Sequence, residues 1–162
     1  MDFITLLRRD HEKVSSLFKE IARGFGQPDA PERHDLFHRL KRELDLHAGV
    51  EDLHVYRVFQ QAEVTRDDAH EAMEAHRKIK TLLDELDAAS TYDHNWTAKF
   101  QELQKVVEAH VASEENEMFR KTEAIMTPHE AEELGGAVET AKEAISRHAA
   151  TTEGGTPEQI SV

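Results

Sequence analysis

His47-Ala48-Gly49-Val50-Glu51-Asp52 is followed 63 residues later by His110-Val111-Ala112-Ser113-Glu114-Glu115. Each stretch puts a histidine and a glutamate four residues apart, on one face of a helix. Working outward, each stretch is preceded by a helix with a single histidine on the same kind of face. His11-Glu12-Lys13-Val14 and Leu17 match His76-Arg77-Lys78-Ile79 and Leu82, an offset of 65 residues. The chain is an internal duplication, and each half carries one lone histidine and one His-x-x-x-Glu pair.

Those polar residues interrupt apolar seams. The first seam reads Ile4, Leu7, His11, Val14, Phe18, Ile21, and the second Leu36, Leu40, Leu44, His47, Glu51, Val55. The third reads Ala69, Met73, His76, Ile79, Leu83, Leu86, and the fourth Trp96, Phe100, Leu103, Val107, His110, Glu114, Met118. Steps of three and four are the helical period. Breaks at Gly24–Pro28, Thr65–Asp68, Ala89–Asp93 and Thr127-Pro128 separate the helices. Short connections make neighbours antiparallel. The expected fold is all-α, an up-down-up-down four-helix bundle over residues 1–126. An additional C-terminal helix over 127–149 follows, with Thr127 as N-cap and Pro128 in its first turn. A disordered tail is expected over 150–162, where Gly-Gly, Pro and Thr gather.

Composition narrows the chemistry. The chain has 162 residues, a net charge of −13, eleven histidines and no cysteine. The negative surface disfavours nucleic acid and anionic membranes. The absence of cysteine removes disulfides, thiolate metal sites and a cysteine nucleophile. No apolar run is long enough to span a bilayer. The N-terminus turns charged at Arg8-Arg9, too early for a secretory signal, so the cytoplasm is the expected compartment.

A buried, unpaired carboxylate costs several kcal/mol. Glu51 and Glu114 sit on core-facing seams that offer no lysine or arginine. At a rise of ~1.5 Å per residue, the four histidines fall within about two helical turns of one level. Imidazole and carboxylate without thiolate suit iron, manganese or zinc. The expected metal ligands are His11, His47, Glu51, His76, His110 and Glu114. His11 and His47 are assigned to one metal and His76 and His110 to the other, with both glutamates and a solvent-derived oxo or hydroxo group bridging. An octahedral metal then keeps one position open for O2, NO or peroxide.

The ordered pattern His…His-x-x-x-Glu…His…His-x-x-x-Glu resembles the hemerythrin family, in its bacterial HHE branch. Asp10-His11-Glu12, His47 through Asp52, Ala75-His76-Arg77 and His110 through Phe119 carry the resemblance, which covers roughly residues 2–126. It implies two iron ions per chain. Oxygen carriers of that family have a further histidine one turn after the lone histidine of the third helix, and this chain has Lys80 there. The carriers' spacing points to Glu115, whereas the internal repeat points to Glu114. The expected function is therefore binding or sensing of O2, NO or redox species. Peroxide decomposition, or iron storage and donation for repair of iron centres, are the alternatives.

Other residues read more plainly. His34, His38, His70, His94, His129 and His148 are expected at the surface. His54 falls near the ligand face, where it is expected to support a ligand or line the pocket. Lys80 is expected at the rim or in solvent. Tyr56 and Phe119 occupy equivalent positions and are expected to pack.

Overall fold

Asp2 opens the first helix by accepting the backbone N–H of Thr5 at 3.0 Å, an N-cap that satisfies one orphan donor. Helix α1 spans Phe3–Arg23. The turn after it includes Gly26, whose φ of 83° lies in the left-handed region that glycine enters without strain. Helix α2 (Pro31–Val50) runs into a π-helical turn at Glu51–Val55 and continues as α3 (Tyr56–Gln61). Helix α4 spans Arg66–Ala88, and α5 spans Trp96–Ser113. A second π-helical turn at Glu114–Met118 follows, then a 3-10 turn at Phe119–Lys121 and the short α6 (Thr122–Ile125). Helix α7 (Pro128–Glu153) closes the chain. The structure is a computed structural model that describes residues 1–26, 31–91 and 93–153.

The described residues form helices and turns with no strands. Helix α1 packs on α2, α4 on α5, and α2 on α4. The bundle and its additional C-terminal helix agree with the sequence expectation. Three details differ. The break expected at Thr65–Asp68 falls at residues 62–65, because Thr65 Oγ1 donates to the Phe59 carbonyl at 2.7 Å and turns the chain early. Phe37 takes the buried place expected of Leu36 in α2, and Ala72 that expected of Met73 in α4. Helix α7 continues past residue 149 to Glu153, and the rest of the expected disordered tail, 154–162, lies outside the described residues.

Two apolar clusters build the core. One gathers Val14, Phe18, Phe37, Leu44, Ile79, Leu83, Trp96 and Phe100. The other gathers Phe3, Leu7, Val50, Val55, Tyr56, Phe59, Met118 and Phe119. The layer between them holds the buried polar residues His11, His47, Glu51, His76, His110 and Glu114.

Helix α7 starts with a capping box: Thr127 N–H donates to Glu130 Oε2 at 2.7 Å, and Glu130 N–H donates to Thr127 Oγ1 at 3.3 Å. It packs across α1, α2 and the first π turn. Gly135 permits this, since a Cβ there would stand 2.1 Å from the Met1 carbonyl oxygen.

Candidate metal centre

Each His-x-x-x-Glu pair ends where its helix changes pitch. The Tyr56 N–H donates to the Glu51 carbonyl, and the Phe119 N–H to the Glu114 carbonyl, five residues back in both cases. In an ordinary α-helix a residue five positions on is rotated by about 140°. The wider π turn brings it closer to the same face, and such turns gather at functional sites. Tyr56 and Phe119 are therefore swung back toward the glutamates. The sequence carries no distinct signal for this, since adjacent buried pairs such as Val55-Tyr56 and Met118-Phe119 also occur in the regular helices as Leu17-Phe18 and Leu82-Leu83.

The structure brings all six expected residues together. His47 Nε2 lies 3.1 Å from Glu51 Oε2, and His76 Nε2 lies 3.3 Å from the same oxygen. His11 Nε2 lies 3.2 Å from Glu114 Oε2, and His110 Nε2 lies 4.0 Å from it. Each glutamate thus spans from one half of the duplication to the other. The imidazoles form two close pairs: His11 and His47 with ring centroids 4.9 Å apart, His76 and His110 with 4.6 Å. The closest separation recorded between the pairs is 6.3 Å, from His47 to His76. Two groups that could hold a metal ion result, His11-His47-Glu51-Glu114 and Glu51-His76-His110.

Outer carboxylates orient the imidazoles. His11 Nδ1 lies 2.6 Å from Glu115, His76 Nδ1 lies 2.8 Å from Asp52, and His47 Nδ1 lies 3.2 Å from Asp10. A carboxylate on one ring nitrogen fixes the tautomer that turns the other nitrogen inward. Asp10 is in turn held by Lys142 of α7. The sequence reading placed acids beside the ligands without giving them this role. Glu115 serves His11 from outside, and Glu114 occupies the interior.

Tyr56 packs in the core as expected, but its hydroxyl has a role that sequence reasoning missed. Its buried hydroxyl shares its single proton between Glu51 Oε2 at 3.1 Å and Glu114 Oε1 at 2.9 Å. Its counterpart Phe119 stacks on His11 and offers no such donor. Tyr56→Phe removes the hydrogen bond shared by two buried carboxylates. The metal-free variant is expected to lose about 1–3 kcal/mol in urea unfolding, and unchanged stability would show the contact to be idle.

Electrostatics follow from crowding. Burial opposes charge on His47, but Glu51 and Asp10 outweigh it and lift its pKa to about 10. Burial likewise opposes charge on His76, and Asp52 and Glu51 lift it to about 9. Burial and the neighbouring His76 push His110 down to about 3. Burial would raise Glu51, yet His47 and His76 hold it well below the carboxylate range, while burial and Glu51 raise Glu114. Burial and the two carboxylates keep the Tyr56 phenol well above its usual value.

The donor set suits a metal. His11 Nε2, His47 Nε2, Glu51 Oε1 and Glu114 Oε2 are buried without a hydrogen-bond partner. The close His11–Glu114 and His47–Glu51 approaches are therefore contacts in distance that lack hydrogen-bond geometry. His76 Nε2 and His110 Nε2 face each other at 3.0 Å. Unsatisfied buried polar atoms are costly, and cations in the middle would satisfy all of them.

Residues 2–122 match the Hemerythrin HHE cation binding domain family. The chain belongs to the hemerythrin HHE cation-binding family. Among its hemerythrin-like relatives are an uncharacterized protein of Mycobacterium tuberculosis, Rv2633c, and one of Mycobacterium bovis, Mb2666c. Each is 30% identical over 137 residues, covering 83% of this chain and 81% of the relative. The crystal structure of a hemerythrin HHE cation-binding domain protein from Mycobacterium kansasii, a homolog of Rv2633c, superposes with a TM-score of 0.80. It is 25% identical, and the match covers 93% of this chain and 91% of that one. A match over 93% of the chain takes in at least part of α7, beyond the residues 2–122 that match the family.

The remaining sequence readings sort cleanly. Lys80 is exposed and pairs with Asp84 at 3.2 Å, on the solvent side of α4. His54 is half-buried and joins neither of the two groups. His70, His94, His129 and His148 are exposed. His34 is exposed too, and its Nε2 lies 3.0 Å from His38 Nε2 on the outer face of α2. No described helix is long and apolar enough to cross a membrane.

Proposed function

We propose that this hemerythrin-like protein holds two iron ions, one at His11 and His47 and one at His76 and His110, with Glu51 and Glu114 bridging. The observation that carries this reading is the position of each glutamate, within 4.0 Å of one histidine from each pair. Iron bound there supplies redox chemistry and open coordination for a small ligand. The protein's own part is to align and exclude. Asp10, Asp52 and Glu115 fix three imidazoles, and Tyr56 shares its proton between both carboxylates.

Beside the histidines lies a small apolar cavity lined by Val14, Leu44, Ile79 and Val107, with a volume of about 10 Å³. That space admits one water-sized molecule. Its walls carry no acid or base besides the four histidines. Such a pocket supports binding or sensing of O2 or NO. One observation favours peroxide decomposition as a second reading: the Tyr56 hydroxyl holds a proton where both carboxylates meet.

Metal analysis of the protein as isolated tests the centre, with about two irons per chain expected, as in other bundle-core di-iron sites. Exposure of the reduced protein to O2, NO and peroxide then separates the readings. Spectral change with O2 or NO without peroxide turnover supports the binding protein. Peroxide consumption above that of free iron, lost in Tyr56→Phe, supports the enzyme. A protein that purifies with no iron and binds none sinks both.

A further inference from the structure

The duplication predicts two equivalent outer faces, and the structure treats them differently. Helix α7 covers α1, α2 and the first π turn. The equivalent face, formed by α4, α5 and the second π turn, carries no such helix among the described residues. A groove of about 640 Å³ lies there instead. Its lining contains Ala72, Ala75, Ala109 and Ser113, where the repeat offsets place Leu7, Asp10, Leu46 and Val50 on the covered face. Four side chains are thus smaller on the open face than on the closed one.

The groove reaches the metal centre. His110 and Glu114 line it, although they are only 6% and 1% exposed. Glu114 Oε2 has no hydrogen-bond partner. The counterpart of Asp10, which braces His47, is Ala75, and no carboxylate is recorded on His110 Nδ1 among the described residues. His110 is therefore the one ligand histidine approached through an uncovered wall.

Charge gives the groove a direction. Because α4 and α5 are antiparallel, Asp68, Glu71 and Glu74 line the end beside Glu114, whereas Lys78 and Lys105 line the opposite end. Asp68 pairs with Lys121 at 2.6 Å and Glu74 with Arg77, while Glu71 has no ion-pair partner among the described residues. The net charge of −13 adds a field that draws cations inward.

We propose that this groove is the loading route for the metal: a hydrated divalent cation enters along the acidic end, meets Glu114 and His110 first, and passes inward between Ala75 and Ala109. The proposal rests on the metal-centre reading above.

The absence of cysteine makes the test clean. Ala109→Cys creates a single thiol at an exposed groove position, and Leu53→Cys creates one on an exposed surface outside the groove lining. Each full-length protein is made metal-free, folded and labelled with a bulky maleimide, then mixed with Co2+ while its d–d absorption is followed. A groove that must be reopened slows association, so labelled Ala109→Cys is expected to load at least about tenfold more slowly than labelled Leu53→Cys, with the same final metal count. A second variant, Ser113→Val, introduces the side chain found at Val50 and should slow loading without a label. Equal rates for both labelled proteins and for Ser113→Val overturn the route. A wild-type protein that takes up no Co2+ and no Fe2+ removes the centre itself, an outcome distinct from normal loading through a blocked groove.

Discussion

Glu51→Ala combined with Glu114→Ala is expected to purify with under about a tenth of the wild-type metal, since even outer-sphere changes cost tenfold or more in affinity. The reason is positional. Each of these carboxylates contacts histidines from both halves. Without them, up to four imidazoles would face two divalent cations with no anion in the layer. Glu115→Ala is the matched control. Glu115 touches His11 from outside and also approaches Arg8 at 3.8 Å, so its loss should weaken one site while leaving both metals bound at saturating concentration. Metal analysis after dialysis at fixed free metal reads both results. Full occupancy in the double variant would refute the ligand assignment, and loss of both metals in Glu115→Ala would reassign the bridge.

Removal of the metal is the second large effect, and it depends on pH. In the metal-free protein His47 and His76 have pKa values raised from 6.5 to about 10 and about 9. Their favourable contribution is complete below 6.5 and is lost as pH rises through 9 and 10. His110 has the opposite sign. Its value is lowered from 6.5 to about 3, so it costs stability increasingly as pH falls below 6.5. The metal-free protein should therefore be most stable near pH 6.5. Metal binding requires neutral imidazoles and must displace protons from His47 and His76. The stabilisation by metal should accordingly grow from pH 6 to pH 9. At a thousandfold excess over Kd, a gain of about 4 kcal/mol corresponds to a rise in Tm of about 10 °C for a chain this size. Thermal melts with and without metal at pH 6, 7.5 and 9 test this. A constant difference across that range would mean that these imidazoles are already neutral before metal arrives.

The sequence showed much of this because periodicity and duplication constrain each other. A histidine on one seam means little, but His11, His47, His76 and His110 share a level, and Glu51 and Glu114 repeat the same spacing. Helices, their order and the six clustered residues were readable from that pattern. What it hid has physical causes. The π turns leave composition unchanged and alter only the angle at which Tyr56 arrives. The partnership of Asp10 with His47 crosses from α1 to α2, and that of Glu115 with His11 from the second π turn to α1. Lys142 reaches Asp10 across 132 residues, a contact that no local spacing encodes. Nor does a glycine inside a helix announce its purpose, and at Gly135 that purpose is the close approach of α7 to the N-terminus.

The polar layer between the two apolar clusters has a mechanical consequence. Elsewhere in the bundle, neighbouring helices are joined by apolar side chains whose contacts carry no charge and little directional preference. At this layer they meet through directional groups with fixed charges. Filled with metal, the layer would work as a rivet through α1, α2, α4 and α5, locking their register at one height. Empty, the layer is held by charge pairs and the Tyr56 hydrogen bond, so it loosens as His47 and His76 lose their protons, and the upper and lower cores can then part company there before either one melts.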